Sequence, residues 1–401
     1  MKKIVKWIMM ACLTLMCTAC DDNGPLTYEQ MLEDYDYLWT TIQENYAMMN
    51  VAQRMTGKNF LAVKDHYRNK ITEDTTTQQF DSYVSLFLNE FEGIGKMEKL
   101  NAVSYKRLYE KLKDSASMTN SLNYLYDVIN NGKSKSYYDF EDTELSDEDA
   151  EKNLITSVVE KDRIAYIKMS DMDQNSMKED GKTLKKFFKE IKNYPVCVID
   201  LRGVTSGIEQ YWIENIVAPN ISEKTSYETL ALVKGGLAKE YMSTEYQLLE
   251  IRKLAALPAL QLKDLEGMTD YVKSSKTIAP AAKKAVFKGD FYVMIDGSTA
   301  DSAERFAMFC KQSGFATLVG DYSGGGSSLE PLLIKLPNSG MIIRMSADHH
   351  LNLDGASNAE YGTAPDIRIE SENLYGAVMA KLRELYPAPV EENQDDTGGN
   401  A

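Results

Sequence analysis

Apolar residues recur at spacings of three and four along the chain after Tyr28. Met31, Tyr35, Leu38 and Ile42 form one such stripe, and Phe80, Val84, Phe87 and Phe91 another. That is the spacing of helices with one buried face. It predicts a helical N-terminal domain over residues 28–140, leading into a polar, acidic stretch over 130–152 with the composition of a linker. Beyond Leu154 the period changes. Ile164-Ala165-Tyr166-Ile167 reads as a strand and Leu184 to Ile191 as a helix. Val196 to Leu201 is a continuous apolar run, the pattern of a strand buried on both faces. Residues 208–286 read as a long, largely helical excursion. Phe291 to Ile295 is another buried strand, Ser302 to Gln312 a helix, and Thr317 to Gly320 a third strand. Strands alternating with helices predict an α/β domain over residues 150–386 with a largely parallel core. There is no internal repeat, and no separate peptide-binding module of the PDZ kind fits between residues 140 and 160. The Pro-, Gly- and acid-rich residues 387–401 read as a disordered tail.

The N-terminus adds an address. Lys2, Lys3 and Lys6 precede an apolar stretch from Ile4 to Cys17 that is too short for a stop-transfer span. It ends in Cys17-Thr18-Ala19-Cys20, which resembles a lipoprotein signal box, with Cys17 where leucine is more usual. The box implies a signal peptide over residues 1–19, acylation of Cys20 and a tether over 20–27. A plain secretory signal is the simpler alternative. Multiple acyl chains anchor stably, at about 0.8 kcal/mol per buried methylene, so the expected location is the cell envelope: the outer membrane, on its periplasmic or cell-surface side. The formal charge is −15, and loss of residues 1–19 removes three lysines and no acid, leaving −18. So acidic a chain repels nucleic acid, which is excluded as a partner. Cys197 and Cys310 lie in apolar patterns and read as small core residues. No cysteine–histidine cluster has metal-ligand spacing, so neither a metal nor a cofactor is expected.

Four segments carry a family resemblance when taken in order. Cys197-Val198-Ile199-Asp200-Leu201-Arg202-Gly203 is a strand entering a tight loop. Ile295-Asp296-Gly297-Ser298-Thr299-Ala300-Asp301-Ser302-Ala303-Glu304-Arg305-Phe306-Ala307 enters a helix. Ala316 to Asp321 precedes the run Gly324-Gly325-Gly326. Leu336-Pro337-Asn338-Ser339-Gly340 and Asn352-Leu353-Asp354-Gly355 lead to Glu360-Tyr361-Gly362-Thr363-Ala364-Pro365-Asp366-Ile367. Together they resemble the tail-specific (C-terminal-processing) serine peptidases, in the branch similar to the tricorn core and the retinoid-binding repeats. The resemblance implies an α/β fold with a crotonase/ClpP-like ββα core and a helical N-terminal cap. It also implies a polypeptide as substrate or partner.

The residues that chemistry would need are changed. The family's nucleophile stands three residues before the glutamate of its Ser-Ala-x-Glu motif, so Glu304 assigns Asp301 to that place. Ser302 is one residue later, and its side chain should point elsewhere on the helix. Asp-x-x-Glu before a helix is also close to a capping box, and a cap is the role expected of Asp301 now. The branch's histidine follows a glycine at the end of the cap helices. Here Gly95 is followed by Lys96, and Asn131-Gly132 by Lys133; either lysine can stand at the base position. Opposite charges at Asp301 and Lys96 suggest a pair accepted together. Of the histidines, His66 reads as helix surface, and His349 and His350 as part of a loop. The oxyanion loop Gly203-Val204-Thr205-Ser206-Gly207 has Thr205 and Ser206 where the family has glycines. Glu360 alone matches its expected place, that of the acid orienting the histidine. These changes point to a pseudopeptidase with a retained peptide cleft. The alternative is an active serine endopeptidase acting on envelope or extracellular polypeptides, using Ser302 or Ser298 with a lysine as base.

Overall fold

The computed structural model describes residues 24–114, 119–145 and 153–388. The expected signal peptide, Cys20 with half of the expected tether, nearly all of the C-terminal tail and part of the expected linker lie outside the described residues.

Val196–Asp200 is buried at every position and lies at the centre of a six-stranded sheet. Edge to edge, the strands are Ile367–Arg368, Thr317–Gly320, Asp290–Ile295, Val196–Asp200, Ile164–Met169 and Leu154–Glu160; all neighbours are parallel except the last pair. Alternate residues of one strand feed two cores. Cys197 and Ile199 pack under the helices Gln174–Glu190 and Ser302–Ser313, against Phe188, Trp212, Phe306 and Phe309. Val196 and Val198 pack on the opposite face, against Val378, Met379 and Leu382 of the helix Leu374–Leu385. This two-sided demand is why the strand sequence lacks polar alternation. Cys197 and Cys310 are buried free thiols.

The excursion is helical only in part, over residues 209–220 and in short pieces after that, and its main body is sheet, contrary to its sequence pattern. Thr225–Lys234 and Met268–Ile278 form a long antiparallel ladder, edged by Leu248–Glu250 and His349–Leu351. The run Leu230-Ala231-Leu232-Val233 is apolar without a period, which does not distinguish strand from buried helix. The helix within this ladder's connection is short, Gly236–Met242. His349 and His350 are therefore strand residues, buried, and not loop residues.

The N-terminal helices form as their stripes predict, two of them closed by capping boxes at Thr27/Gln30 and Thr76/Gln79. Their core is not separate from the rest of the chain. Tyr35, Ile42, Phe80 and Phe87 share one cluster with Leu332, Ile334, Ile342 and Met345. These last residues come from Pro331–Lys335 and Ile342–Ser346, a pair extended by Glu98–Lys99 from the cap. Asp34, buried in the first described helix, accepts the amides of Asn338 and Ser339 at 2.7 and 2.8 Å. Cap and α/β domain are thus joined by apolar packing, by a strand and by a carboxylate. Part of the expected linker is a helix, Gly132–Tyr137, rather than a free connection.

Candidate catalytic cleft

The strand Asp290–Ile295 turns through Asp296–Ala300 into the helix Ser302–Ser313, and Asp301 stands at the corner with φ 55° and ψ −115°. A non-glycine residue held there is strained by about 1–3 kcal/mol, and such strain persists only where surrounding structure dictates it. Asp301 does not cap the helix: its side chain makes no cap hydrogen bond. Its Oδ1 instead accepts from Lys96 Nζ at 2.6 Å, with 17% of the Asp301 side chain and 30% of the Lys96 side chain exposed.

Lys96 is delivered by a tight turn after the helix Thr77–Asn89. Gly95 has φ 65°, and a Cβ there would lie 2.7 Å from both the Met48 and Tyr46 side chains, so only glycine fits. Tyr46 locks the turn by donating its hydroxyl to the Ile94 carbonyl at 2.8 Å. Lys96 itself has φ 55°, so both members of the ion pair occupy left-handed backbone.

The other hydroxyls near the corner are engaged elsewhere. Ser302 is wholly buried, with Oγ 3.5 Å from Met172 Sδ, so it faces the core and not the cleft. Ser298 is exposed; it accepts the Gly203 amide at 2.8 Å and donates to Asp296. That bond puts a protein hydroxyl on the amide that an oxyanion loop would aim at substrate. The loop is pinned on both sides, by Ala300 N–H to Val204 O at 2.9 Å and Met172 N–H to Ser206 O at 3.3 Å. Thr205 and Ser206 are exposed on it.

Behind the corner one oxygen of a buried carboxylate is held twice. Glu304 is buried and accepts from Asn358 Nδ2 and Thr363 Oγ1, each at 2.6 Å. Burial pushes its carboxyl up, and these donors offset part of that. Gly325 lets the chain pass: a Cβ there would sit 1.9 Å from the Asn358 carbonyl oxygen. Asp200 takes both Nε and Nη2 of Arg202, at 2.8 and 2.7 Å, and the Tyr166 hydroxyl at 2.6 Å.

A family model described as peptidase family S41 matches residues 163–369, more than half of the chain, and takes in the corner and its framework but not the turn that carries Lys96. The chain belongs to peptidase family S41. Among solved structures, a peptidase-like protein from Parabacteroides merdae ATCC 43184 is 16% identical, with a TM-score of 0.56 over 88% of this chain and 96% of that one. Mature CPAF is 10% identical, with a TM-score of 0.54 over 89% and 96%. At those identities the likeness is one of fold, and it covers the helical cap as well as the S41 domain. No curated protein sequence matches.

The other site residues expected from the sequence are dispersed. Glu360 Oε2 is bound by Arg54 Nη2 at 2.8 Å and so is engaged by the cap rather than by Lys96. Arg54 also grips Asp264 through two bonds of 2.6 and 2.9 Å. Lys133 donates to the Pro337 carbonyl at 3.0 Å, so Lys96 is the lysine that meets the corner. His66 is exposed on the helix Phe60–Arg68. Burial pushes His349 and His350 down to about 4 and about 3, and Ser357 and Ser327 bond their rings. Both are neutral at ordinary pH. Sequence reasoning missed a charged group in the first turn of the helix Ser302–Ser313: Arg305 Nη1 lies 3.3 Å from Glu209, which also takes Lys276 at 2.7 Å and the Tyr227 hydroxyl at 3.1 Å. The available signal was the position of Glu209, two residues after Gly207.

Proposed function

We propose that this S41 chain is a lipid-anchored protein of the cell envelope that keeps a polypeptide-binding cleft and has lost turnover. The observation that carries the reading is the Lys96–Asp301 ion pair at the strained corner. Acyl transfer needs an activated nucleophile and a base within hydrogen-bond reach of it. Here a carboxylate takes the nucleophile's place. Attack by it would give a mixed anhydride, which reverts readily, and the nearby amine is held by that same carboxylate. Ser302 faces the core, and Ser298 is bonded to Asp296 and the Gly203 amide. The intact framework around Glu304 and Asp200 supports retention of the cleft. An extended segment would dock there by main-chain hydrogen bonds with side chains in flanking pockets.

The purified mature protein, incubated with unfolded casein and with tailed reporter peptides, is expected to give no cleavage above buffer and no labelling by a fluorophosphonate probe. Cleavage that disappears in Ser298→Ala or Ser302→Ala would overturn this reading in favour of an active serine endopeptidase. The anchor rests on the Cys17-Thr18-Ala19-Cys20 box. Cys20→Ala should leave unprocessed precursor and abolish incorporation of a fatty-acid analogue; persistent incorporation would remove the lipoprotein assignment.

A further inference from the structure

The helix Gln174–Glu190 buries Leu184, Phe187 and Phe188 against the six-stranded sheet. Its outer face carries one kind of charge. Lys178, Lys182, Lys185 and Lys189 recur at spacings of four, three and four, and Lys192 follows three residues on, in the turn after the helix; all five are exposed. That spacing sets the four helical lysines in one line, about 16 Å long at 1.5 Å of rise per residue. Among the described residues only Lys182 of the five has an ion pair, to Glu179 at 2.6 Å. Of the other acids on the helix, Asp180 is turned inward, where its Oδ2 takes Asn153 Nδ2 and the Tyr211 hydroxyl, each at 2.7 Å, and Glu190 is exposed. Like charges at these spacings repel one another. Here they do so in a chain with 60 acidic residues against 45 basic ones.

The lysine line forms one wall of a groove of about 460 Å³, with Lys178, Lys182 and Lys185 on one side and Glu214 and Asn215 on the other. The far wall belongs to a π-helical turn, Ile213–Val217, a rare geometry that recurs at functional sites. Gly181 lets the two walls meet: a Cβ there would lie 2.4 Å from Asn215 Oδ1, and Asn215 Nδ2 donates to the Met177 carbonyl at 2.9 Å. Glycine inside a helix is otherwise unfavourable, and this close approach accounts for it. Glu214, the acid of the far wall, is held by Gln210 Nε2 at 2.6 Å. The groove starts at the rim of the cleft. Met172 pairs with Gly207 of the oxyanion loop; its amide donates to the Ser206 carbonyl at 3.3 Å and its carbonyl accepts the Ile208 amide at 2.9 Å. Gln174, two residues on, already lines the groove. A polypeptide that crosses the loop at Thr205 and Ser206 and leaves on this side runs along the lysines.

We propose that this groove receives an acidic segment of the polypeptide held in the cleft, with its carboxylates set against Lys178, Lys182 and Lys185 and, farther out, Lys189 and Lys192. The proposal rests on the peptide-cleft reading and names the class of polypeptide: one with a run of Asp or Glu beside the segment that fills the cleft. An extended chain advances about 3.3 Å per residue, so about five residues span the four helical lysines. A basic segment would meet like charge there, and a neutral one would leave the line of lysines uncompensated. The contacts are exposed, so each is weak; they act together and yield to salt.

The test uses the mature protein and fluorescent peptides read by anisotropy: a neutral extended peptide, the same peptide with a glutamate run at one end or the other, and the same with lysine runs. At low salt one of the two glutamate placements should bind about tenfold more tightly than the neutral peptide, and the advantage should fade as salt rises. Lysine at that end should weaken binding. Lys178→Glu, Lys182→Glu and Lys185→Glu together, all at exposed positions, should abolish the glutamate advantage and leave the neutral peptide's affinity in place; Lys189→Glu with Lys192→Glu should reduce the advantage by less. Equal affinity for the neutral and glutamate peptides, or an advantage that the triple variant keeps, would overturn the proposal and leave the cleft reading standing. A second arm does without the cleft. A peptide of glutamates alone is coupled to the protein with a zero-length carbodiimide, and the joined lysines are mapped by mass spectrometry. Joining concentrated at Lys178, Lys182 and Lys185 supports the groove even where the neutral peptide does not bind, and then it is the cleft reading that falls. Joining spread over the protein's lysines in proportion to their exposure overturns the groove.

Discussion

Two carboxylates three residues apart, Asp301 just before the helix Ser302–Ser313 and Glu304 in its first turn, have opposite surroundings. Asp301 stands at the mouth, in strained backbone, partly exposed and held by a single lysine. Glu304 stands in the interior behind it, fully buried and held by neutral donors from Asn358 and Thr363. The mouth holds the groups that the proposed loss of turnover rests on; the interior behind it holds a glutamate fixed by two hydrogen bonds. The strained corner is held by the structure around it, which is what lets a positive φ persist at a non-glycine residue.

The comparison breaks most visibly at Glu304. Glu304→Ala removes the acceptor from two buried donors and leaves a void, so it should destabilise by about 3–5 kcal/mol in urea titration. Glu304→Gln should cost far less. A small loss in both variants would mean that the interior does not enforce the corner.

The pH response of the interior comes next. The Asp348 carboxyl is raised from 3.8 to about 6 in the folded protein. A raised acid binds more protons folded than unfolded, so its contribution is favourable in acid and is lost as pH climbs from about 4 through about 6. Relative to Asp348→Asn, the wild type should lose about 1–3 kcal/mol between pH 4 and pH 7. A constant difference across that range would place Asp348 in a better-solvated setting than its burial indicates.

At the mouth the effects are smaller. A double-mutant cycle on Lys96→Ala and Asp301→Ala should give a coupling of about 1–2 kcal/mol, since the pair is neither buried nor free, and salt should weaken it. Asp301→Gly separates strain from pairing. It loses the ion pair but relieves the positive φ, so its net cost should be near zero, within about 1 kcal/mol. A loss as large as that of Glu304→Ala would show that the pair, not the interior, holds the corner.

The smallest expected effect is on activity. Asp301→Ser alone should give no hydrolysis of tailed peptides, because Lys96 then lacks the imidazole's geometry. Asp301→Ser with Lys96→His has the better prospect of a trace above buffer, limited by Thr205, Ser206 and the Gly203 amide already held by Ser298. Turnover in the single variant would mean that lysine suffices as a base at this mouth.

Much of this was legible in residues alone. The unbroken apolar run of Val196–Ile199 announces a strand buried on both faces, and the register at Glu304 places Asp301, not Ser302, at the corner. The opposite charges of Lys96 and Asp301 suggest a contact, found at 2.6 Å across 205 residues of chain. Less was legible where identity and role part. Asp-x-x-Glu has the form of a capping box, yet the backbone at Asp301 turns its side chain to Lys96 instead. Glu360 was expected beside the base position, yet Arg54, 306 residues away, binds it. The excursion's apolar runs do not declare strand over helix until Met268–Ile278 lies beside Thr225–Lys234.

The sequence by itself determined the elements whose signal is local: helical stripes, doubly buried strands and turns such as Gly95-Lys96, because periodicity and left-handed backbone act within a few residues. Tertiary structure decided which side chains meet at the mouth, and that the cap shares its core with Pro331–Lys335 and Ile342–Ser346. It also decided that Asp348 Oδ2 is left without a donor among the described residues. Those outcomes depend on hydrogen bonds and burial between segments far apart in the chain, where a carboxylate's partner is set by what the fold brings within 3 Å of it, a distance typical of such bonds.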